Sequence, residues 1–161
     1  MRKLFIIIVV VSMIAPAWIK GDETEVEVTG QAEDASKILG LLDTYVKAFE
    51  EADADLAQSL VWLDDERFTE IEDMIAYPFG MDTYLEIMDW IRENAEPGKQ
   101  EMIFHDPQVF FLADDVAYLI TIQEIINEES KNLSRVTLIL LKKDGEWKII
   151  HGHFSGMPKQ K

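Results

Sequence analysis

The sequence predicts an α+β domain, helices first and an antiparallel sheet afterwards. Three observations carry this. In the first half, Ile38, Leu41, Leu42, Tyr45, Val46 and Phe49 recur with the spacing of one helical face. From Met102 onward the pattern changes to runs rich in Val, Ile, Phe, Tyr and Thr. No Pro/Gly/Ser-rich linker and no internal repeat divides the 161 residues, a length suited to one domain. Helices that precede strands, instead of alternating with them, exclude a parallel βαβ architecture.

Taken in order, the apolar stripe places a first helix from about Asp34 to Glu51. Asp53-Ala-Asp55 caps a shorter second helix carrying Leu56, Leu60 and Val61. Arg67 to Asp73 alternates weakly, as a short strand would. Pro78-Phe-Gly80 breaks the chain, and Asp82 opens a third helix with Leu85, Met88, Trp90 and Ile91 that ends at Pro97-Gly98. Four strands follow at Met102–Leu112, Val116–Ile126, Leu133–Lys142 and Glu146–Phe154, with a kink expected at His105-Asp106-Pro107. Three helices cover only one face of such a sheet. The strands are nevertheless apolar on both faces, which predicts a homodimer or higher homo-oligomer across the uncovered one.

Charge and cysteine content exclude whole classes of function. With 31 Asp+Glu against 15 Lys+Arg the net charge is −16, a surface that repels nucleic acid and anionic membranes. The absence of cysteine removes disulfides, thiolate metal sites and a Cys nucleophile. Arg2-Lys3, the apolar run Leu4–Ile14 and the small residues of Ala15-Pro16-Ala17 read as a signal peptide cleaved after Ala17. The expected organisation is therefore a signal peptide (1–17), an acidic flexible lead-in (18–33) and a folded domain (34–158). The mature protein is expected to be periplasmic or secreted, without membrane insertion.

The last hairpin sets the expected site. A three-residue Lys143-Asp144-Gly145 loop puts Lys142 opposite Glu146, Thr137 opposite His151 and Arg135 opposite His153. A two-residue Asp144-Gly145 turn puts Val136 opposite His153 instead, since a one-residue slip moves a strand's side chains to the other face. The first register gathers Arg135, Thr137, His151, His153 and Ser155 at one end of a face, with Trp147 and Ile149 at the other. Convergent polar groups on a mostly apolar surface are what a small-molecule site presents.

These residues also carry a resemblance. Arg135-Val-Thr137, Asp144-Gly-Glu-Trp147 and His151-Gly-His153-Phe-Ser155-Gly-Met-Pro158 resemble the C-terminal signature of SnoaL-like domains in the NTF2-like superfamily. The pattern is most similar to the branch holding the association domain of calmodulin-dependent kinase II, and the similarity runs from about Ile38 to Pro158. It implies an NTF2-like cone: a curved antiparallel sheet wrapped around three N-terminal helices, with a pocket between sheet and first helix. It also implies that Arg135, His151 and His153 lie near that pocket. The superfamily spans isomerases, dehydratases, cyclases, epoxide hydrolases and pure assembly domains, so the fold does not choose an activity. Where the kinase domain has basic residues around the last hairpin loop, this chain has only Lys142 and Lys143.

Three chemistries compete for the two histidines. They form a metal site if Glu72 or His105 supplies a further ligand. They act as general acid or base if Arg135 stabilises a developing oxyanion. Or Arg135 and the histidines lock the sheet end as a polar network. Tyr45, Glu72, Thr137 and Trp147 are the candidate ligand-binding residues, with Glu72 available to pair with Arg135; Trp62, Trp90 and Trp147 also suit the core. No metal and no cofactor is expected. Two functions stand side by side. One is a pocket protein that binds a small, largely apolar molecule with a polar or anionic group, or performs cofactor-independent isomerase, lyase or cyclase chemistry on it. The other is a non-catalytic homo-oligomerisation module whose polar pocket is structural.

Overall fold

The computed structural model describes residues 23–158 other than 73, 74, 76 and 129, so the expected signal peptide and the start of the lead-in lie outside the described residues. Helix α1 (Glu23–Glu50) begins well before Asp34, taking in the rest of the stretch expected as a flexible lead-in. Its inner face buries Ile38, Leu41, Leu42 and Ala48. Helix α2 (Ala54–Ser59) is capped as expected, the Asp53 carboxylate accepting from the Leu56 N–H at 2.9 Å. Strand β1 (Thr69–Glu72) precedes helix α3 (Met81–Asn94), which buries Tyr84 and Met88.

Strands β2 (Glu101–Ala113), β3 (Val116–Ile126), β4 (Lys131–Lys143) and β5 (Glu146–Gly156) form the antiparallel meander. The sheet order is β1-β5-β4-β3-β2, and the short β1 joins the edge parallel to β5. Helix α1 lies across β2 and β5, with α2 against α1 and α3 against α2. The inner sheet face supplies the most deeply buried side chains: Leu119, Val136, Leu138 and Leu140 close on Ile38. Among the described residues no helix covers the outer face, and Phe110, Leu112 and Ile120 stand exposed on it. The register of β2 shifts between His105 and Gln108, at the kink that Asp106-Pro107 imposes, with Asp106 at φ 46°.

The β4–β5 hairpin corrects the expected register. Its loop is the two-residue Asp144-Gly145 turn, with φ 53° and 85°, and Lys143 faces Glu146. Two positive φ values give the turn a twist that matches the strands, which a three-residue loop meets only with a bulge at the turn. The bulge comes later instead: Leu140 faces Ile149 and Ile139 faces His151, leaving Ile150 unpaired. Beyond it Thr137 faces His153 and Arg135 faces Ser155. The two lysines anchor the hairpin tip to the helical side, Lys142 to Asp34 at 2.7 Å and Lys143 to Asp65 at 2.9 Å. Asp65 is buried and also accepts from Arg67, so both cations hold its carboxyl far below the usual carboxylate range.

Because Gly145 occupies the left-handed region, Gly145→Ala is expected to cost about 1–2 kcal/mol, read as a lower urea midpoint with an unchanged slope.

Candidate functional site

The helices and the inner sheet face enclose a cavity of about 670 Å³, within the roughly 300–1,000 Å³ range of small-molecule sites. Most of its wall is apolar: Leu60, Val61, Met88, Leu138 and Ile149 line it with the rings of Phe68 and Phe154. Asp53, Asn94, Glu96, Lys99 and Gln100 also line it, and the buried carboxyls come from β1. A strand turns alternate side chains to one face, so Glu70 and Glu72 both line the cavity while Thr69 and Ile71 face outward. Glu70 is tied on both sides of its backbone. It sits opposite Gly152 of β5, and it exchanges two hydrogen bonds with Phe79, N–H to carbonyl at 2.8 Å and carbonyl from N–H at 2.9 Å.

Glu70 is only 8% exposed, and its side chain hydrogen-bonds to that of Glu72. Burial, then the charge and hydrogen bond of Glu72, push the Glu70 carboxyl up to about 8. Burial also raises Glu72, opposed by the hydrogen bond from Glu70. At neutral pH Glu70 therefore keeps its proton. Gly152 makes room for this arrangement: a Cβ there would stand 3.4 Å from the Glu70 carboxyl oxygen and 3.0 Å from the Phe154 ring. Two tyrosines complete the polar end. Tyr45 packs its ring against Phe104 and Phe154, with centroids 5.9 and 6.4 Å away. Tyr84 meets Phe68 edge to face at 5.0 Å. Burial first, and then the Glu70 charge, raise both hydroxyls well above the ordinary tyrosine value.

Of the residues expected in the site, Tyr45 and Glu72 line the cavity. Arg135, Thr137, His151 and His153 do gather, but on the outer face of the sheet. The Ile150 bulge reverses the alternation of β5, so Gly152 and Phe154 take the inward positions and the histidines turn away. Trp147 lies before the bulge and points inward, buried in the core against Phe111 rather than in the cavity wall. Glu72 and Arg135, on opposite faces, do not pair. His151 is joined through Nδ1 to Thr69 Oγ1 at 2.8 Å, and burial, then the His153 charge, lower its pKa. Trp90 leaves the core altogether and is 61% exposed beside the cavity on α3. Among the described residues no three His, Cys, Asp or Glu converge on a point fit for a metal ion.

Glu70 is the residue that sequence reasoning missed. Its signal was the pair Glu70/Glu72 flanking Ile71 in a segment already read as a strand, where period two puts both on one face. Phe68 and Phe79 on either side mark that face as inward.

Residues 38–160 match the SnoaL-like domain family. The chain belongs to that family. No curated protein sequence matches it. Solved structures with the same fold include an NTF2-like protein of unknown function from Shewanella oneidensis MR-1, 18% identical over 76% of this chain and 98% of that one, with a TM-score of 0.65. The association domain of CaMKII from C. elegans is 16% identical over 79% and 98%, also with a TM-score of 0.65. A putative scytalone dehydratase from Novosphingobium aromaticivorans is 13% identical over 81% and 89%, with a TM-score of 0.68. At these identities the likeness establishes the SnoaL-like, NTF2-like fold and nothing about chemistry.

The carboxyl pair gives the SnoaL-like domain a specific pH signature. Unfolded, Glu70 loses its proton near 4.5; folded, it keeps it to about 8. Across that window the folded state holds the extra proton, so the contribution of Glu70 to stability falls as pH rises. Glu70→Gln cannot ionise, and is expected to be more stable than the parent at pH 8, by on the order of a few kcal/mol, with the difference vanishing toward pH 5. Urea unfolding of parent and variant across pH 5–9 measures this. The difference curve isolates Glu70 from His151, whose lowered pKa contributes a slope of the opposite sign.

Proposed function

We propose that this SnoaL-like domain is a pocket protein that binds a small, largely apolar molecule between its helices and sheet. The observation that carries the reading is a carboxyl pair buried at the polar end of an otherwise apolar cavity. A buried carboxyl without a compensating cation lowers stability, and a cavity of this size forfeits packing. A ligand offsets both. The pair also has the makings of an acid–base couple: two adjacent carboxyls both raised above the ordinary range, with Glu70 still protonated at neutral pH. Cofactor-independent proton transfer next to a polarised group is the reaction type that this geometry supports, with Tyr45 and Tyr84 as neutral hydrogen-bond donors. The outer-face histidines and Arg135 take no part in it.

A second reading is favoured by the outer face. Phe110, stacked on Tyr118 at 4.8 Å, stands exposed with Leu112 and Ile120 on a sheet face that no described helix covers, and the fold is shared with CaMKII association domains. Homo-oligomerisation through that face is compatible with a functional cavity, since the two faces use alternate residues. Export rests on the N-terminal segment alone, and the same proposal places the mature protein in the periplasm or outside the cell.

Native mass spectrometry of the protein purified from its exporting host tests all three parts. The expected result is a dimer of chains beginning at Trp18, carrying a small adduct that denaturation releases. A neutral apolar dye, N-phenyl-1-naphthylamine, is expected to bind the emptied protein, and Ala57→Trp, which fills the cavity from α2, to weaken it at least about tenfold. Dye binding that is indifferent to Ala57→Trp sinks the pocket reading. Ile120→Glu is expected to convert the dimer to monomer, and a dimer that survives it rules out this face as the interface.

A further inference from the structure

We propose that the ligand of this cavity carries a positive charge, an amine or quaternary ammonium on an apolar body, seated between the Glu70–Glu72 pair and the aromatic rings around it. The inference rests on the reading that the cavity is the binding site, and adds the chemical class of what enters.

The charge census of the wall decides the sign. Among the described residues four carboxyl side chains line it, Glu70 and Glu72 buried at one end and Asp53 and Glu96 also in the wall, against one cationic side chain, Lys99. Lys99 is exposed and already 3.6 Å from Glu96. Arg135, His151 and His153, the groups that would suit an anion, are on the other face of the sheet. An anionic ligand would thus meet two buried carboxyls without a counter-charge, and is disfavoured. The anionic group allowed by the sequence is thereby replaced by its opposite.

The aromatic lining points the same way. Tyr45, Phe68, Tyr84 and Phe154 present ring faces and edges around the carboxyls, and an ammonium group against aromatic faces gains from their negative π-surfaces, more when desolvated. Gly152 withholds a side chain where one would crowd the Glu70 carboxyl, at 3.4 Å. The buried carboxyl is therefore open to the cavity and has only its neighbouring carboxyl for company. Outside, the net charge of −16 concentrates cations near the surface.

Binding a cation beside Glu70 and Glu72 favours ionisation of both. The proton that the pair holds at neutral pH leaves to the buffer as the ammonium takes its place, so uptake of the charged ligand is coupled to proton release. A neutral ligand releases none.

The test uses three probes with one chain length: octyltrimethylammonium, octan-1-ol and octanoate. Each displaces the neutral dye from the full mature protein in 0.3 M salt, and calorimetry in two buffers of different ionisation enthalpy counts the protons released. The expected order is octyltrimethylammonium tighter than octanol by about 30-fold, with octanoate weakest, and up to one proton released near pH 7 for the cation alone. In Glu70→Gln/Glu72→Gln the cation's advantage is expected to shrink to within about threefold and the proton release to vanish; Glu70→Gln alone, which removes the proton-holding carboxyl, serves if the double variant does not fold. Equal affinity of cation and alcohol in the parent overturns the proposal while leaving the pocket reading intact. So does a cation preference that persists in the Gln variants, which assigns it to surface charge. Failure of every probe to displace the dye overturns both readings.

Discussion

A single unpaired residue on β5, Ile150, decides which side chains face the cavity. Upstream of it Trp147 and Ile149 point into the core; downstream, Gly152 and Phe154 do. Without the bulge, strict alternation would carry His151 and His153 inward and turn Gly152 and Phe154 out. The same residue marks a change of neighbour at the sheet edge. Ile149 is bonded to the stretch that follows α2, its N–H donating to the Leu60 carbonyl at 2.8 Å, whereas His151 to Phe154 pair with β1. The placement of Glu70 opposite a residue without a side chain therefore depends on the bulge, and with it the open carboxyl pair.

Held this way, the pair is a local cost that the rest of the molecule offsets. The Glu70 backbone is bonded to β5 on one side and to Phe79 on the other, so its side chain cannot leave the cavity without breaking the sheet edge. The stabilising burial lies elsewhere, in Ile38, Leu119, Val136, Leu138 and Leu140, each able to contribute about 1.5–3 kcal/mol. A fold that spends part of this on an ionisable group in an apolar cavity has the distribution expected of a functional site, where stability is locally given up. The ion pairs at the hairpin tip belong to the opposite category. Lys142–Asp34 and Lys143–Asp65 fasten β4 to the helical side and leave the cavity untouched.

How much of this could be read in the sequence follows from which signals are local. The helix stripe from Ile38 to Phe49, the Asp53 cap and the kink at Asp106-Pro107 are written within a few residues, and all are present. The SnoaL-like motif named the fold because its residues are close together in sequence, within the last hairpin. The start of α1 was missed because Glu23–Glu33 lacks an apolar stripe, the feature that periodicity detects. The site was half legible. Tyr45 and Glu72 follow from helix face and strand face, but the histidines were assigned by counting back from a turn. An internal bulge between Ile149 and His151 has no local signature in Ile-Ile-His, so the count was right in grouping Arg135, Thr137, His151 and His153 and wrong about the face.

The reversal of that face separates the polar cluster from the cavity and gives the two proposed functions, binding and assembly, opposite faces of the sheet. On the inner side, Glu70, Glu72, Tyr45 and Tyr84 surround a cavity; on the outer side, exposed Phe110, Leu112 and Ile120 share a sheet surface with Arg135 and the histidines. Binding and assembly therefore do not compete for side chains. They meet in β1, whose successive residues serve opposite faces: Thr69 holds the His151 ring at 2.8 Å on the outside, and Glu70 carries the buried carboxyl one residue later. A short edge strand with four residues, fixed from outside by a histidine and from inside by β-pairing, is the one place where a change on the outer face reaches the carboxyl pair through a single peptide unit. The polar cluster on the outer face then has a physical role away from the cavity, which is to hold the strand that carries Glu70 and Glu72.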